Sequence, residues 1–250
     1  MKKSYIAILV ILVLVLSIVL TSCDIEKIED KKYDKYVSSL SASEVARLNE
    51  KAKTDYPNAF DKTLALQEYD MTVSIRLRQG SSVSPVACID GLVKKNGSSY
   101  TGSADIKYAG IKIISASYKN TETGGRIILD ESNYLDLPFN YGEVGSIIYL
   151  NLSEDIIANA KYVYNKPDTI KFSLNGEQTM KYFSILFNFA QEQLEKNDVS
   201  EINFAGLSFN GSEIYVTIEN GIATSYYARL DGNSNNGKID CSLSGKLQTK

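Results

Sequence analysis

Hydrophobic and polar positions divide this 250-residue chain into distinct regimes. From Ile6 to Val19 it is apolar apart from Ser17, with Lys2 and Lys3 in front and Leu20-Thr21-Ser22-Cys23 closing the run before Asp24. A basic head, an apolar middle and a short close make a secretion signal. A retained transmembrane helix is the competing reading, and the run barely reaches the roughly 20 apolar residues that a span wants. Asp24 to Lys35 is almost wholly charged around two isoleucines and reads as a solvated tether. From Ser43, the positions Val45, Leu48 and Ala52 fall at helical spacing behind an acidic first turn at Glu44. Pro57 breaks that pattern and Phe60, Leu64 and Leu66 resume it, which gives one helix or two leading into the body.

At Tyr69 the period changes to two. Tyr69, Met71, Val73, Ile75 and Leu77 fall on one side, and Asp70, Thr72, Ser74, Arg76 and Arg78 on the other. The alternation returns from Tyr100 to Tyr108, Ile111 to Tyr118, Ile127 to Asp130, Tyr134 to Phe139, Ile214 to Glu219, Ile222 to Leu230 and Lys238 to Leu247. Asn-Gly pairs at 96–97, 175–176, 210–211, 220–221 and 236–237 supply the positive φ that tight hairpins need. At least three of them join strand-like runs.

Two helical segments interrupt this meander. Ser153 can cap a run from Glu154 to Val163 that Pro167 stops. The second, Gly176 to Lys196, places Met180, Phe183, Leu186, Phe187, Ala190 and Leu194 on one side, with Tyr182, Ile185 and Phe189 extending the stripe past half the circumference. A helix on one sheet face needs roughly a 100° stripe. Met180, Phe183, Phe187 and Leu194 would anchor it to the sheet. The second flank, Tyr182, Ile185 and Phe189, either meets another helix or lines a ligand cavity.

The fold class expected is α+β: a large antiparallel sheet of about ten strands, curled into an incomplete β-barrel and covered by two or three helices. The chain divides into a leader (1–22), a charged tether (23–42) and a single half-barrel domain (43–250).

Composition then narrows the chemistry. The formal charge of −3 becomes about −5 once a leader carrying Lys2 and Lys3 is removed, and an acidic surface gives no case for nucleic acid. The chain has no histidine, which removes Ser-His-Asp and Cys-His catalysis and histidine metal sites. No cofactor or metal site is expected. Gly232 to Lys238 has the glycine and lysine spacing of a phosphate-binding loop, but Ile239 stands where Ser or Thr belongs and a strand follows. Asp231, Asn233 and Asn235 alternate like calcium ligands, yet position twelve is Ser242 and position six is Asn236. A polar hairpin fits that stretch better. Cys88 and Cys241 can form one disulfide in an exported chain or stay as free thiols, Cys241 lying in the apolar phase of its strand. Of the seventeen tyrosines, most alternate with aliphatics on strands; Tyr162, Tyr164, Tyr182 and the Tyr226-Tyr227 pair could line a pocket or present a contact surface.

Two resemblances follow from these residues. Leu20-Thr21-Ser22-Cys23 resembles the lipobox of bacterial lipoproteins, which implies that Cys23 is acylated and becomes the first residue of the mature chain. Acyl chains in pairs or more, such as palmitate, turn reversible binding into a stable anchor, so the protein is expected outside the cytoplasm on the cell membrane. The second resemblance is of pattern, from about Ser43 to Leu247. A helix runs into Ala65-Leu66-Gln67-Glu68-Tyr69-Asp70-Met71-Thr72-Val73, a meander and a helical insertion follow, and the chain closes on a hairpin at Thr217-Ile218-Glu219-Asn220-Gly221-Ile222. This order is similar to that of the LolA/LppX-like superfamily of lipid and lipoprotein carriers. It implies a hydrophobic or acylated ligand held between sheet and helical lid, without catalysis. The alternative is a cell-envelope scaffold whose core is solidly packed. An apolar void of several hundred cubic ångströms separates the two.

Overall fold

The period-two segments assemble, in the computed structural model, into one antiparallel sheet. Residues 34–79, 82–83, 87–108, 110–129, 134–137, 152–165, 167–196, 206–235 and 237–249 are described. The leader, Cys23 and the side chains of Ile185, Phe189 and Leu194 lie outside the described residues.

The chain enters through helix α1 (Ala42–Leu64) and then forms β1 (Glu68–Gln79), the short β2 (Ser82–Val83), β3 (Ala87–Asn96), β4 (Ser99–Tyr108), β5 (Ile111–Thr121), β6 (Gly124–Ile128) and β7 (Tyr134–Leu137). A single turn, α2 (Glu154–Ile157), precedes β8 (Lys161–Asn165) and β9 (Asp168–Asn175). Helix α3 (Gly176–Lys196) leads to β10 (Ser208–Glu219), β11 (Ile222–Ser234) and β12 (Gly237–Thr249). The order across the sheet is β7-β6-β5-β4-β3-β1-β12-β11-β10-β9-β8, with β2 paired to β1 alone. The sheet is open, because the edge strands β7 and β8 do not pair with each other. Leu135 on β7 packs against the main core. The expected α+β fold with a large curled sheet is the one found.

Register fixes what each face carries, because side chains alternate and directly opposed residues share a face. One face collects Ile170, Phe172, Leu174, Ile214, Val216, Ala228, Leu230, Ile239, Leu243, Leu247, Met71 and Val73, all buried. The other is polar. Arg229 on β11 meets Asp240 on β12 through two hydrogen bonds of 3.1 and 2.8 Å. Lys171 bonds Glu213 at 2.9 Å, and Lys107 pairs with Asp90, which also accepts from Thr72 at 2.7 Å.

Helix α1 begins at a capping box, in which the Ser41 hydroxyl accepts from the Glu44 amide and the Glu44 carboxylate accepts from the Ser41 amide. It runs unbroken through Pro57. Tyr56, Ala59 and Phe60 on either side of the proline are buried, so tertiary packing holds a turn that local propensity would break. Ahead of α1, Tyr36 and Leu40 pack against the core.

Two Asn-Gly pairs do what their chemistry suggests: 96–97 and 220–221 stand between β3 and β4 and between β10 and β11, while Asn236 of the pair at 236–237 lies outside the described residues. Asn220 itself sits at φ 55° and Gly221 at 73°. Asn210-Gly211 is instead a register shift inside β10. Asn175-Gly176 starts α3, with the Asn175 side chain accepting from the Gln178 amide at 2.9 Å and Gln178 returning the bond to the Asn175 amide at 3.0 Å. The helix expected from Glu154 to Val163 stops at Ile157. Tyr162 and Val163 are buried strand residues, and the Tyr162 amide donates to Asn49 of α1 at 3.2 Å.

Phe172 is fully buried, its ring 4.7 Å from that of Tyr56 in an edge contact that joins α1 to the sheet. Phe172→Ala is expected to lower unfolding free energy by about 3 to 5 kcal/mol, and Ser41→Ala at the helix cap by about 1 kcal/mol. Urea denaturation of the two variants checks the ranking.

Candidate functional site

The helices do not share the apolar face evenly. Their principal contacts fall at one end of the sheet, α1 on β8 and β11, α2 on β9, and α3 on β9 and β10. On α3, Phe183 and Phe187 are buried, and the Phe187 ring lies 5.3 Å from Phe209 of β10. Thr179 on the same helix is also buried, bonding Ser212 at 2.9 Å. These residues anchor the helix, as the first flank of its stripe suggests. Of the second flank, Tyr182 packs edge-on against Phe183 at 5.0 Å and sits against the main core. Ile185 and Phe189 lie outside the described side chains.

The opposite end of the same face carries a second apolar cluster. Ile106 is its buried centre, with Ile114, Ala116, Ile127, Leu129 and Leu135 half-buried around it on β4 to β7. Register arranges this end into cross-strand rows. Gly91, Ala104 and Ala116 follow one another across β3, β4 and β5, and continue into Met71 of β1 and Leu247 of β12. The row on one side runs through Val73, Ile89, Ile106 and Ile114, and that on the other through Tyr69, Val93, Gly102, Tyr118 and Ile127. Gly91, Ala104 and Ala116 lie between rows that are bulkier except at Gly102, which makes a shallow apolar groove across the strands. From Ala116 to Gly91 it spans two inter-strand steps, about 10 Å at the usual spacing of about 4.8 Å, and it ends against Met71.

The groove points toward a small cavity under the C-terminal part of α1. That cavity holds about 20 Å³ and is lined by Thr63, Met71, Val216, Ala223, Tyr226, Gly245 and Leu247 among others. A wider, open hollow of about 440 Å³ spans β1, β3, β4 and β5, its lining mixing Met71, Gly91, Ala104 and Ala116 with Asp70, Thr72, Asp90, Ser103, Asp105 and Ser115. Neither is an enclosed apolar chamber. Burial raises the phenol pKa values of Tyr56, Tyr182 and Tyr226, and Tyr182 lies within electrostatic reach of the other two. All three therefore stay neutral across the ordinary pH range.

Two polar constellations were open to a catalytic reading. Tyr162 donates to Asp55 while Lys51 bonds both, at 3.1 Å to the phenol oxygen. Burial first, and then the carboxylates of Asp55 and Asp168, raise the Tyr162 pKa, the reverse of what an activated phenolate needs. Among the described residues no cluster of three or more metal-ligating side chains occurs. Gly232 to Lys238 is the β11–β12 hairpin, with Lys238 bonding Asp231 at 3.2 Å.

The disulfide expected as one alternative for Cys88 and Cys241 is not formed; both thiols are free. Parity forbids it. Cys88 on β3 lies opposite Ser74 on the polar face, whereas Cys241 on β12 is buried on the apolar face, with β1 between the two strands.

Among the described residues no helix is long and apolar enough to cross a membrane. No family model matches the chain, and no curated protein matches it in sequence. Solved structures do. LprF from Mycobacterium bovis aligns over 78% of this chain and 91% of its own, at 9% identity and a TM-score of 0.35. A LolA superfamily protein from Nitrosomonas europaea aligns over 80% of this chain and 93% of its own, at 8% identity and a TM-score of 0.30. The second bears the superfamily name that the order of elements resembles. At these scores the likeness carries no functional weight.

Burial pushes the Cys241 thiol pKa up to about 12 and also raises that of Cys88. Thiol labelling of the native, unreduced protein is expected to modify Cys88 slowly and leave Cys241 untouched, with both reacting after unfolding without reductant. Two thiols that stay blocked in the unfolded, unreduced chain would show a disulfide.

Proposed function

We propose that this chain is an extracytoplasmic lipoprotein, tethered to the bacterial membrane through an acylated Cys23, that holds a hydrophobic or acylated ligand without catalysing a reaction on it. The observation that carries the reading is the apolar face at the β3–β7 end of the sheet. Ile114, Ala116, Ile127, Leu129 and Leu135 remain half-exposed there, away from the principal contacts of the helices. An apolar surface so placed is a site for something else to cover. The groove over Gly91, Ala104 and Ala116 is the right shape for a flexible chain, whose burial is worth about 0.8 kcal/mol per methylene. This moves the ligand from beneath α3, where Tyr182 packs with the core, to the other end of the sheet.

A second reading has its own support. The cavity of about 20 Å³ under α1 is the size of one water, and the core residues of β8 to β12 around α1 and α3 are buried. An envelope scaffold would have such a core and would meet a protein partner through the same apolar strip.

Native mass spectrometry of the mature chain, made with Cys23→Ser so that it carries no acyl group of its own, separates the two. The carrier reading expects a co-purifying lipid mass that disappears in Ala116→Phe, a variant that fills the groove at a half-buried position and leaves the melting temperature close to that of the parent. A mass equal to the bare polypeptide, with no uptake of added lipid, favours the scaffold.

For the anchor, Cys23→Ser in the full precursor is expected to move the protein from membrane to soluble fractions. Persistence in membranes through the intact apolar segment would favour a retained transmembrane helix.

A further inference from the structure

The apolar face contains a hydroxyl that its own fold leaves unused. The Tyr226 oxygen is enclosed and has no hydrogen-bond partner among the described residues, although part of the residue reaches the surface. A phenol in apolar surroundings without a partner loses its hydration with nothing in return, so such a group calls for a reason. Its position supplies one. Tyr226 lies in the cross-strand row Val216, Tyr226, Gly245, Val73, Ile89, Ile106 and Ile114, which borders the groove along its length.

The distal part of the Tyr226 side chain lies over Gly245. A methyl group on that glycine would stand 2.1 Å from the ring and 2.7 Å from the hydroxyl oxygen, so only a residue without a Cβ leaves the ring this place. The distal end of Tyr226 therefore rests above β12, on the side nearer β1. It also lines the small cavity beside Met71 and Leu247, where the groove floor ends. Tyr182 stands within electrostatic reach of both Tyr226 and the fully buried Tyr56 of α1. The buried polar side chains on the described core are Thr63, Thr169, Thr179 and Ser212, with no lysine or arginine among them. Lys246 also lines the cavity, but it is exposed and stands opposite Thr72 in the polar-face phase of β12, so a buried carboxylate or phosphate gains little from it, whereas a neutral carbonyl would find a donor.

We propose that Tyr226 donates a hydrogen bond to the ester carbonyl of an acylated ligand, holding its polar end at the closed end of the groove while the acyl chain runs out over Gly91, Ala104 and Ala116. The assignment rests on the acyl-ligand reading above. Gly245 is its positioning residue. A neutral phenol serves an ester at any ordinary pH, and an ether oxygen, a poorer acceptor, gains less from it.

The test compares 1,2-dipalmitoylglycerol with its dihexadecyl ether analogue, which keeps the chains and lacks both carbonyls, on the mature chain with Cys23→Ser. The parent is expected to bind the ester about fivefold tighter than the ether, the value of one net hydrogen bond. Tyr226→Phe should abolish that preference, leave ether binding unchanged and leave the melting temperature equal or higher, since it removes a buried hydroxyl without a partner. Gly245→Ala, which pushes the ring off its seat, should reduce the preference while the hydroxyl is still present. Equal binding of ester and ether by the parent, or a preference that survives Tyr226→Phe, overturns the proposal and leaves the hydroxyl to a trapped water. If the parent binds neither probe, the acyl-ligand reading falls and takes this assignment with it.

Discussion

An apolar sheet face eleven strands wide outruns the helices available to cover it. Ten inter-strand steps come to about 48 Å along the hydrogen-bonding direction, and a helix with its side chains covers a band about 10 to 12 Å across. The main coverage falls to α1 and α3, since α2 is a single turn. Leu135 of β7 packs against the main core, which reduces the shortfall at that edge. Among the described elements the helices still leave the β3–β7 end without a principal helix contact. The face could not be made polar there without also changing its register, because one step along any strand exchanges its two faces.

The two ends of the sheet consequently have different physical characters. At the β8–β12 end, Phe172 meets Tyr56, Phe187 meets Phe209, and these rings join Phe183 and the buried aliphatic residues of β10 and β11 in one core. That end supplies the stability. At the β3–β7 end, bulky rows stand apart across a floor of Gly91, Ala104 and Ala116, and stability is forgone in exposed apolar surface. Gly91 has little room to be anything else, since a Cβ there would lie 3.0 Å from the Ser103 carbonyl and 3.2 Å from Ala104. Gly245 and the enclosed Tyr226 hydroxyl sit where the two ends meet. Their arrangement is costly for folding alone and intelligible for binding.

Much of this was legible in the residues, and what was not had specific causes. The strands with clean alternation, such as Tyr69 to Leu77 and Ile214 to Glu219, stand where the pattern puts them. Strand β3 was hidden because Gly91 points to the apolar face and Leu92 to the polar one, which blurs the period. Strand β8 was read as helix because Ser153 and Glu154 begin one that ends after a single turn. Asn210-Gly211 carries turn chemistry but is absorbed as a bulge, since Ser208 to Glu219 continues past it in one strand. The anchoring flank of α3 followed from helical spacing alone. The groove did not, because its floor comes from β3, β4 and β5 and becomes visible only once their register is known. Tyr226 over Gly245 likewise depends on which residue of β12 faces β11, a pairing across 19 positions that no local pattern records.

The central claim is that ligand occupies the β3–β7 end of the face rather than the space beneath α3. Isoleucine methyl spectra of the mature protein read this directly, because Ile106, Ile114 and Ile127 stand at the groove while Ile170, Ile214 and Ile239 are fully buried toward the other end. On titration with 1,2-dipalmitoylglycerol, the first three methyl signals are expected to shift and the second three to stay in place. Shifts confined to Ile170, Ile214 and Ile239, with Ile106, Ile114 and Ile127 unmoved, would contradict the account and return the ligand to the helix-covered end.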